Sequence, residues 1–180
     1  MAEMESWTWP PRYDNNYTPE ASSRYWFPVR ETMPQGDRDK AIVQRLREVC
    51  DYAYTSCDFY RNKWDEAGFH PSQIKSLEDF ERRCPVVNKA DLRAAQHRAP
   101  PFGDYLCILD SEVFHIHGTS GTTGRPTAFA IGREDWNNIA NAHARIMWGM
   151  GIRPGDIVFV AAIFSLYMGS WGALSGAERL

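Results

Sequence analysis

Long apolar runs are missing from these 180 residues: the longest, Ile157 to Phe164, is only eight. A helix that crosses a bilayer needs about 20 such residues, so no membrane span is expected. The opening "MAEMESWTWPPRYDNNY" is acidic and Trp-rich and has neither the basic nor the apolar region of a signal peptide, which predicts a cytoplasmic protein. Basic clusters are absent too. With 20 basic against 23 acidic residues and a net charge of -3, no Lys/Arg block exceeds a pair, which argues against nucleic acid and anionic membranes as partners. Cys50, Cys57, Cys84 and Cys107 lack the C-x2-C spacing of a zinc site and read as reduced core residues. No internal repeat and no low-complexity tract is found.

Residues 1–36 instead carry five prolines among seven Trp, Tyr and Phe residues. That composition predicts an extended arm docking its aromatics on a larger body, because proline interrupts helices and a free linker would hold fewer aromatics. Residues 37–110 are expected to form a helical region. From Asp39 to about Ala67 the apolar positions Ile42, Leu46, Val49, Cys50, Ala53, Cys57, Tyr60 and Trp64 predict one amphipathic helix stopped by Gly68. "SLED" from Ser76 and "NKAD" from Asn88 mark the starts of two shorter helices.

Residues 111–180 read as the opening of an α/β domain. "EVFHIH", Glu112 to His117, and "TAFAI", Thr127 to Ile131, predict two strands, and "IVFVAAIF" a third, buried one. Between the second and third strands, a helix is expected with Trp136, Ile139, Ala140, His143, Ile146, Met147 and Met150 on its apolar stripe and His143 a satisfied, partly buried histidine. A helix rich in small residues follows within "LYMGSWGALSGAERL".

The first two strands are joined by "GTSGTTGRP", residues 118–126. A loop that grips polyphosphate uses Gly for close backbone approach, and hydroxyls with a cation for charge-assisted hydrogen bonds. Thr119, Ser120, Thr122 and Thr123, with Gly118, Gly121, Gly124 and Arg125, supply that set. A Walker loop is excluded: counting from Gly118, its second Gly falls on Thr123, its Lys-[ST] pair is replaced by Arg125 and Pro126, and a strand follows where a helix is required.

The order "TSGTTGRPT" resembles the phosphate loop of adenylate-forming enzymes, [ST]-S-G-[ST]-T-G-x-P, with Arg125 where Lys is commonest. "ETMP" at Glu31, "FYRNKWDEAGF" from Phe59, "IKSLEDF", "NKADLR", His117, "RPGD" from Arg153 and "GAERL" at the end are similar to landmarks of the phenylacetate-CoA ligase branch. The resemblance implies a reaction in two steps: a small carboxylic acid and ATP give an acyl-adenylate and pyrophosphate, and the acyl group then passes to coenzyme A. It implies that Thr119, Ser120, Gly121, Thr122, Thr123, Gly124 and Arg125 hold the leaving phosphates, with Mg2+ sharing the charge, and that His117 lies beside them. It places Phe164, Tyr167 and Gly169 at the acid pocket. His115 and His117 alternate on one strand without an evident third ligand, so no metal site of the protein's own is expected.

The chain departs from that family where Ser165 and Ser170 replace common glycines, where Met168 and Trp171 stand, and where Ala162 replaces an aromatic; these departures leave the acid open, phenylacetate included. The family's adenine, ribose and carboxylate-contacting segments have no counterpart before Leu180, so the catalytic groups that the resemblance implies are expected beyond that residue. The expectation is therefore the front of a large adenylating domain with its sheet incomplete. Such a chain alone would not complete the reaction, and would expose an apolar edge around Ile157 to Phe164 that invites self-association. An adenylating enzyme with an acceptor other than CoA and a non-catalytic binding module are the alternatives.

Overall fold

The computed structural model describes residues 16–119 and 126–180. The part of the arm before residue 16 and the loop residues Ser120 to Arg125 lie outside the described residues.

The described residues are mainly helical and carry one two-stranded antiparallel sheet. A short helix α1, Pro28–Glu31, follows the arm, and α2, Gln35–Ser56, is the longest element. The single long helix expected up to Ala67 is broken at Cys57, which is extended (φ -140°, ψ 111°) before α3, Asp58–Glu66. Local chemistry explains the break. The Thr55 hydroxyl bonds back to the Asp51 carbonyl, as Ser and Thr near helix ends do. The Cys57 Sγ meets the Asp104 carbonyl at 3.3 Å, and Asp58 supplies an acidic first turn to the new helix. The apolar stripe survives the break, so Cys50, Trp64, Phe69 and Ile74 still form one core.

Gly68 closes α3 with φ +66°, and the pair Phe69 N–H to Trp64 O and Gly68 N–H to Asp65 O is a Schellman motif. The helices α4, Leu77–Arg83, and α5, Lys89–Arg98, start at the caps read from sequence. Asn88 and Asp91 form a full capping box, whereas the Asp79 carboxylate beside the Ser76 cap accepts from the Lys75 N–H instead.

Strands β1, Val113–Gly118, and β2, Ala128–Gly132, pair with Ile116 opposite Ala130 and Gly118 opposite Ala128. The helical region grips this hairpin at one carbonyl: the Tyr105 hydroxyl (2.8 Å) and the Gln96 side-chain amide (3.0 Å) both donate to the Ala128 oxygen. Burial raises the Tyr105 pKa to about 12, which keeps it a donor.

Helix α6, Arg133–Gly149, leaves β2 directly and ends in a second Schellman motif at Gly151. Its buried face is rotated from the expected stripe. Ala140, Asn141, Ala144, Met147 and Trp148 are buried, while Ile146 and Met150 are exposed. Two neighbours cause the rotation. The arm brings Trp26 edge-on to Trp148 (5.6 Å between centroids), with Tyr17 and Phe27 packed beside them. Helix α7, Met168–Arg179, presents buried Ser170, Gly172, Ser175 and Gly176 to α6. These small residues admit the His143 ring, whose Nδ1 lies 2.9 Å from the Ile139 carbonyl. Leu180, directly after α7, packs against the same Trp26–Trp148 cluster, and its N–H donates to the Gly176 carbonyl at 3.0 Å.

The third strand does not form. Ile157 to Phe164 has no strand structure, and Ile157, Phe159 and Ile163 are 97%, 89% and 83% exposed. A strand needs a neighbour for its backbone N–H and C=O groups, and none of the described residues offers this run an edge.

Candidate active site

The site is built at the C-terminal end of β1. Strand alternation sends His115 and His117 to one face. Trp136, in the first turn of α6, stacks on His115 (3.8 Å between centroids, 9° between planes) and lies parallel to His117 at 5.7 Å. Burial in this stack, followed by the neighbouring His117, lowers the His115 pKa, so its ring is neutral at pH 7.

His117 is buried, and its Nδ1 lies 3.3 Å from the Leu166 carbonyl. That oxygen can only accept, so Nδ1 carries a proton, and in the tautomer with that single N–H the Nε2 is an acceptor. Nε2 is buried with no partner among the described residues. A buried polar atom left unpaired costs about 1–3 kcal/mol, a cost that a bound hydroxyl donor would remove.

The segment from Ile163 to Tyr167 crosses the strand end closely. Gly118 donates its N–H to the Leu166 oxygen at 2.8 Å, and a Cβ on Gly118 would meet the Thr127 oxygen at 3.2 Å. Two side chains of α7 hold this crossing in place. The Ser170 hydroxyl donates to the Ile163 carbonyl (2.9 Å), and the Trp171 indole N–H to the Ser165 carbonyl (2.8 Å). Phe164 packs edge-on against Trp171 at 5.1 Å, and Trp171 reaches within 6.4 Å of His115. The Tyr167 ring covers Gly169 so tightly that a Cβ there would lie 2.7 Å from its hydroxyl oxygen.

The neck of the Gly/Ser/Thr loop is clamped twice. Thr119 donates its N–H to the Thr127 carbonyl (3.1 Å), and the Thr119 hydroxyl oxygen accepts the Thr127 N–H (3.2 Å). The Thr119 hydroxyl proton stays available for a phosphate. Ser120, Gly121, Thr122, Thr123, Gly124 and Arg125 lie outside the described residues.

Of the residues read from sequence, His117, Thr119 and the segment bearing Phe164, Tyr167 and Gly169 thus meet around one strand end. Leu180, beyond which the sequence reading puts the catalytic groups, is no part of this site: it lies in the Trp26–Trp148 cluster on the arm side of α6 and α7. Trp136, a core residue by its sequence pattern, is the aromatic floor under both histidines. Its position four residues after the hairpin's last strand residue is the signal that links it to the site. Among the described residues, no group of three His, Cys, Asp or Glu side chains is placed to hold one metal ion, and no helix is long and apolar enough to cross a membrane.

A strand, a Gly/Ser/Thr loop, an antiparallel return strand and a crossing segment of aromatics define the front part of an adenylate-forming enzyme. No protein-family profile matches the chain, but individual proteins do. Phenylacetate-coenzyme A ligase of Escherichia coli (strain K12) is 39% identical over 150 residues, covering 83% of this chain and 33% of the relative. That of Thermus thermophilus is 36% identical over 153 residues, covering 85% and 33%. The chain matches the N-terminal part of phenylacetate-CoA ligases.

Similarity to solved structures of 2-hydroxyisobutyryl-CoA ligase is much higher. One in the postadenylation state with 2-HIB-AMP is 69% identical with a TM-score of 0.93, over 99% of this chain and 37% of that one. Another, with 2-HIB-AMP and CoA in the thioesterification state, is 72% identical with a TM-score of 0.93, over 98% and 37%. The chain spans about a third of the length of the curated relatives it matches.

Proposed function

We propose that this chain forms the phosphate-gripping and acid-binding front of a cytoplasmic AMP-forming CoA ligase whose acid is a small, branched 2-hydroxy carboxylate. One observation carries the choice of acid: identity to 2-hydroxyisobutyryl-CoA ligase is 69–72% across nearly the whole chain, against 36–39% to phenylacetate-CoA ligases. The site supports the same reading. A 2-hydroxyl is an O–H donor, and the His117 Nε2 is a buried acceptor awaiting one. Four free cysteines among the described residues agree with a reducing compartment.

In the proposed reaction the acid's carboxylate attacks the α-phosphorus of ATP and expels pyrophosphate, and the CoA thiol then displaces AMP from the acyl carbon. Thr119 through Arg125 hold the leaving phosphates, with Mg2+ neutralising charge that Arg125 alone does not. The crossing segment with Phe164 and Tyr167 walls the acid and excludes water. By itself the chain is inactive in ATP–pyrophosphate exchange.

The test is a chimera in which these residues replace the matching N-terminal part of 2-hydroxyisobutyryl-CoA ligase. It should adenylate 2-hydroxyisobutyrate and not phenylacetate; a preference for phenylacetate would overturn the proposal. CoA as acceptor is tested by thioester formation with the same chimera. His117→Ala should lower kcat/KM for 2-hydroxyisobutyrate by roughly 5- to 100-fold, from the loss of one buried hydrogen bond, and change that for isobutyrate much less. Equal losses with both acids would remove the hydroxyl contact from the proposal.

A further inference from the structure

The segment from Ile163 to Tyr167 has no strand neighbour among the described residues, so other contacts decide where it lies. The end of β1 holds it at Leu166, whose carbonyl oxygen accepts the Gly118 N–H at 2.8 Å and lies 3.3 Å from the His117 Nδ1. The start of α7 holds it at two further carbonyls, Ile163 through the Ser170 hydroxyl (2.9 Å) and Ser165 through the Trp171 indole N–H (2.8 Å). Phe164 stands between those two carbonyls, so α7 brackets its backbone. The Phe164 ring is held by the same helix, edge-on to Trp171 at 5.1 Å and 83°.

Both anchors are themselves fixed. Ser170 is buried and Trp171 half-buried. Further along α7, Gly172 and Gly176 approach His143 of α6 so closely that a Cβ on either would fall 2.4 Å from that residue. Sliding α7 would break this contact, so Trp171 keeps its place. Trp171 also lies 6.4 Å from His115, which stacks on Trp136 at 3.8 Å, and Trp136 is parallel to His117 at 5.7 Å. Rings thus follow one another from Phe164 through Trp171, His115 and Trp136 to His117. The two ends of this row are the wall of the acid site and the acceptor for the acid's hydroxyl in the function proposed above, and Trp171 ties the wall to the rest.

We propose that Trp171 and Ser170 are specificity-determining positioning residues: by holding Phe164 in this row they restrict the site to short, branched acids and exclude aryl acids. The inference rests on the reading of Phe164 as a wall of the acid site. Two methyl groups ask for little room beside that wall. A phenyl ring needs the Phe164 side chain to move away, and such a movement pulls the Ile163 and Ser165 carbonyls from their donors. It would leave the Ser170 hydroxyl and the Trp171 N–H without those partners and break the edge-on ring contact. Neither residue needs to touch the acid, because each acts through the position of Phe164.

The experiment uses the chimera that carries these residues in 2-hydroxyisobutyryl-CoA ligase. Pyrophosphate release gives kcat/KM for 2-hydroxyisobutyrate, isobutyrate and phenylacetate in the parent and in Trp171→Leu, Trp171→Phe and Ser170→Ala. Trp171→Leu loses both the ring and the N–H, and should shift the ratio of 2-hydroxyisobutyrate to phenylacetate toward phenylacetate by about 10-fold or more. Trp171→Phe keeps a ring beside Phe164 and Ser170→Ala keeps Trp171; each loses one hydrogen bond and should shift that ratio by roughly 2- to 10-fold. The ratio of 2-hydroxyisobutyrate to isobutyrate, acids of similar size, should stay at the parental value. If Trp171→Leu does not fold, the two milder variants decide. Equal losses with all the acids, as a merely structural role would give, or a parental ratio to phenylacetate in every variant, would overturn this inference and leave the proposed function standing. A parent chimera that prefers phenylacetate would overturn that function and this inference with it.

Discussion

Replacing Gly176 by Ala tests the packing that aims α7 at the site. A Cβ added there would lie 2.9 Å from the His143 carbonyl carbon and 3.0 Å from the Ala144 nitrogen, both backbone atoms of α6. Backbone cannot rotate aside as a side chain can, so the two helices must separate. Overpacking of this kind costs about 1–3 kcal/mol. Opposing it, Ala is favoured over Gly inside a helix by about 0.5–1 kcal/mol. The net expectation is destabilisation by roughly 1–2 kcal/mol. Urea unfolding at constant m should show it as a midpoint lower by about 0.5–1 M, for the m-values usual in small proteins. Gly36 is the control: it lies in α2 with no atom within 4 Å of its added Cβ, so Gly36→Ala should raise stability by about 0.4–1 kcal/mol. If Gly176→Ala is as stable as the parent, the close approach of α6 and α7 is not what holds α7 in place, and this account of the crossing segment fails with it.

Trp26 is 1% exposed between Tyr17, Phe27 and Trp148, and Trp26→Ala should cost about 3–5 kcal/mol in the same urea assay; a loss under about 1 kcal/mol would mean the arm is not docked. The Asp91 pKa is lowered by the Asn88 N–H and then by Lys63, and that of Asp79 by the Lys75 N–H and then the Ser76 hydroxyl. Their stabilisation is present above the unfolded aspartate value of about 3.9 and fades as pH falls through the lower folded values. Acid unfolding of the Asp91→Asn variant should accordingly be less steep below pH ~4 than that of the parent, as read by circular dichroism. Exposed Ile157, Phe159 and Ile163 should make the chain self-associate, raising the mass seen by light scattering with concentration. Ile157→Asp with Phe159→Asp should reduce that rise; a concentration-independent monomer in the parent would refute it.

Elements with their own local instructions were legible in the chain. The caps at Ser76 and Asn88, the glycine stop at Gly68, and the hairpin around the Gly/Ser/Thr loop depend on neighbours a few residues away. What misled were features decided by distant partners. Periodicity carried the α2 stripe straight through Cys57, because it cannot register that the Asp104 region draws that residue out of the helix. The α6 stripe pointed to Ile146 and Met150, because hydrophobicity does not show that Trp26 and a row of small residues in α7 claim the other face. An apolar run of strand length stayed unpaired, because β structure requires a neighbouring edge as well as a suitable composition.

The site divides in the same way. A Gly/Ser/Thr loop is a contiguous string whose order can be compared directly, so the adenylate-forming resemblance was legible in residues 118–126, while the phosphate-holding role of that loop is a proposal. Trp136 under the two histidines, the Ser170 and Trp171 anchors of the crossing segment and the unpaired His117 Nε2 arise from residues up to 56 positions apart. Contact between such residues is set by how α6 and α7 pack against each other and by where that packing leaves the segment before α7. No local pattern encodes that placement, and only the tertiary fold decides it.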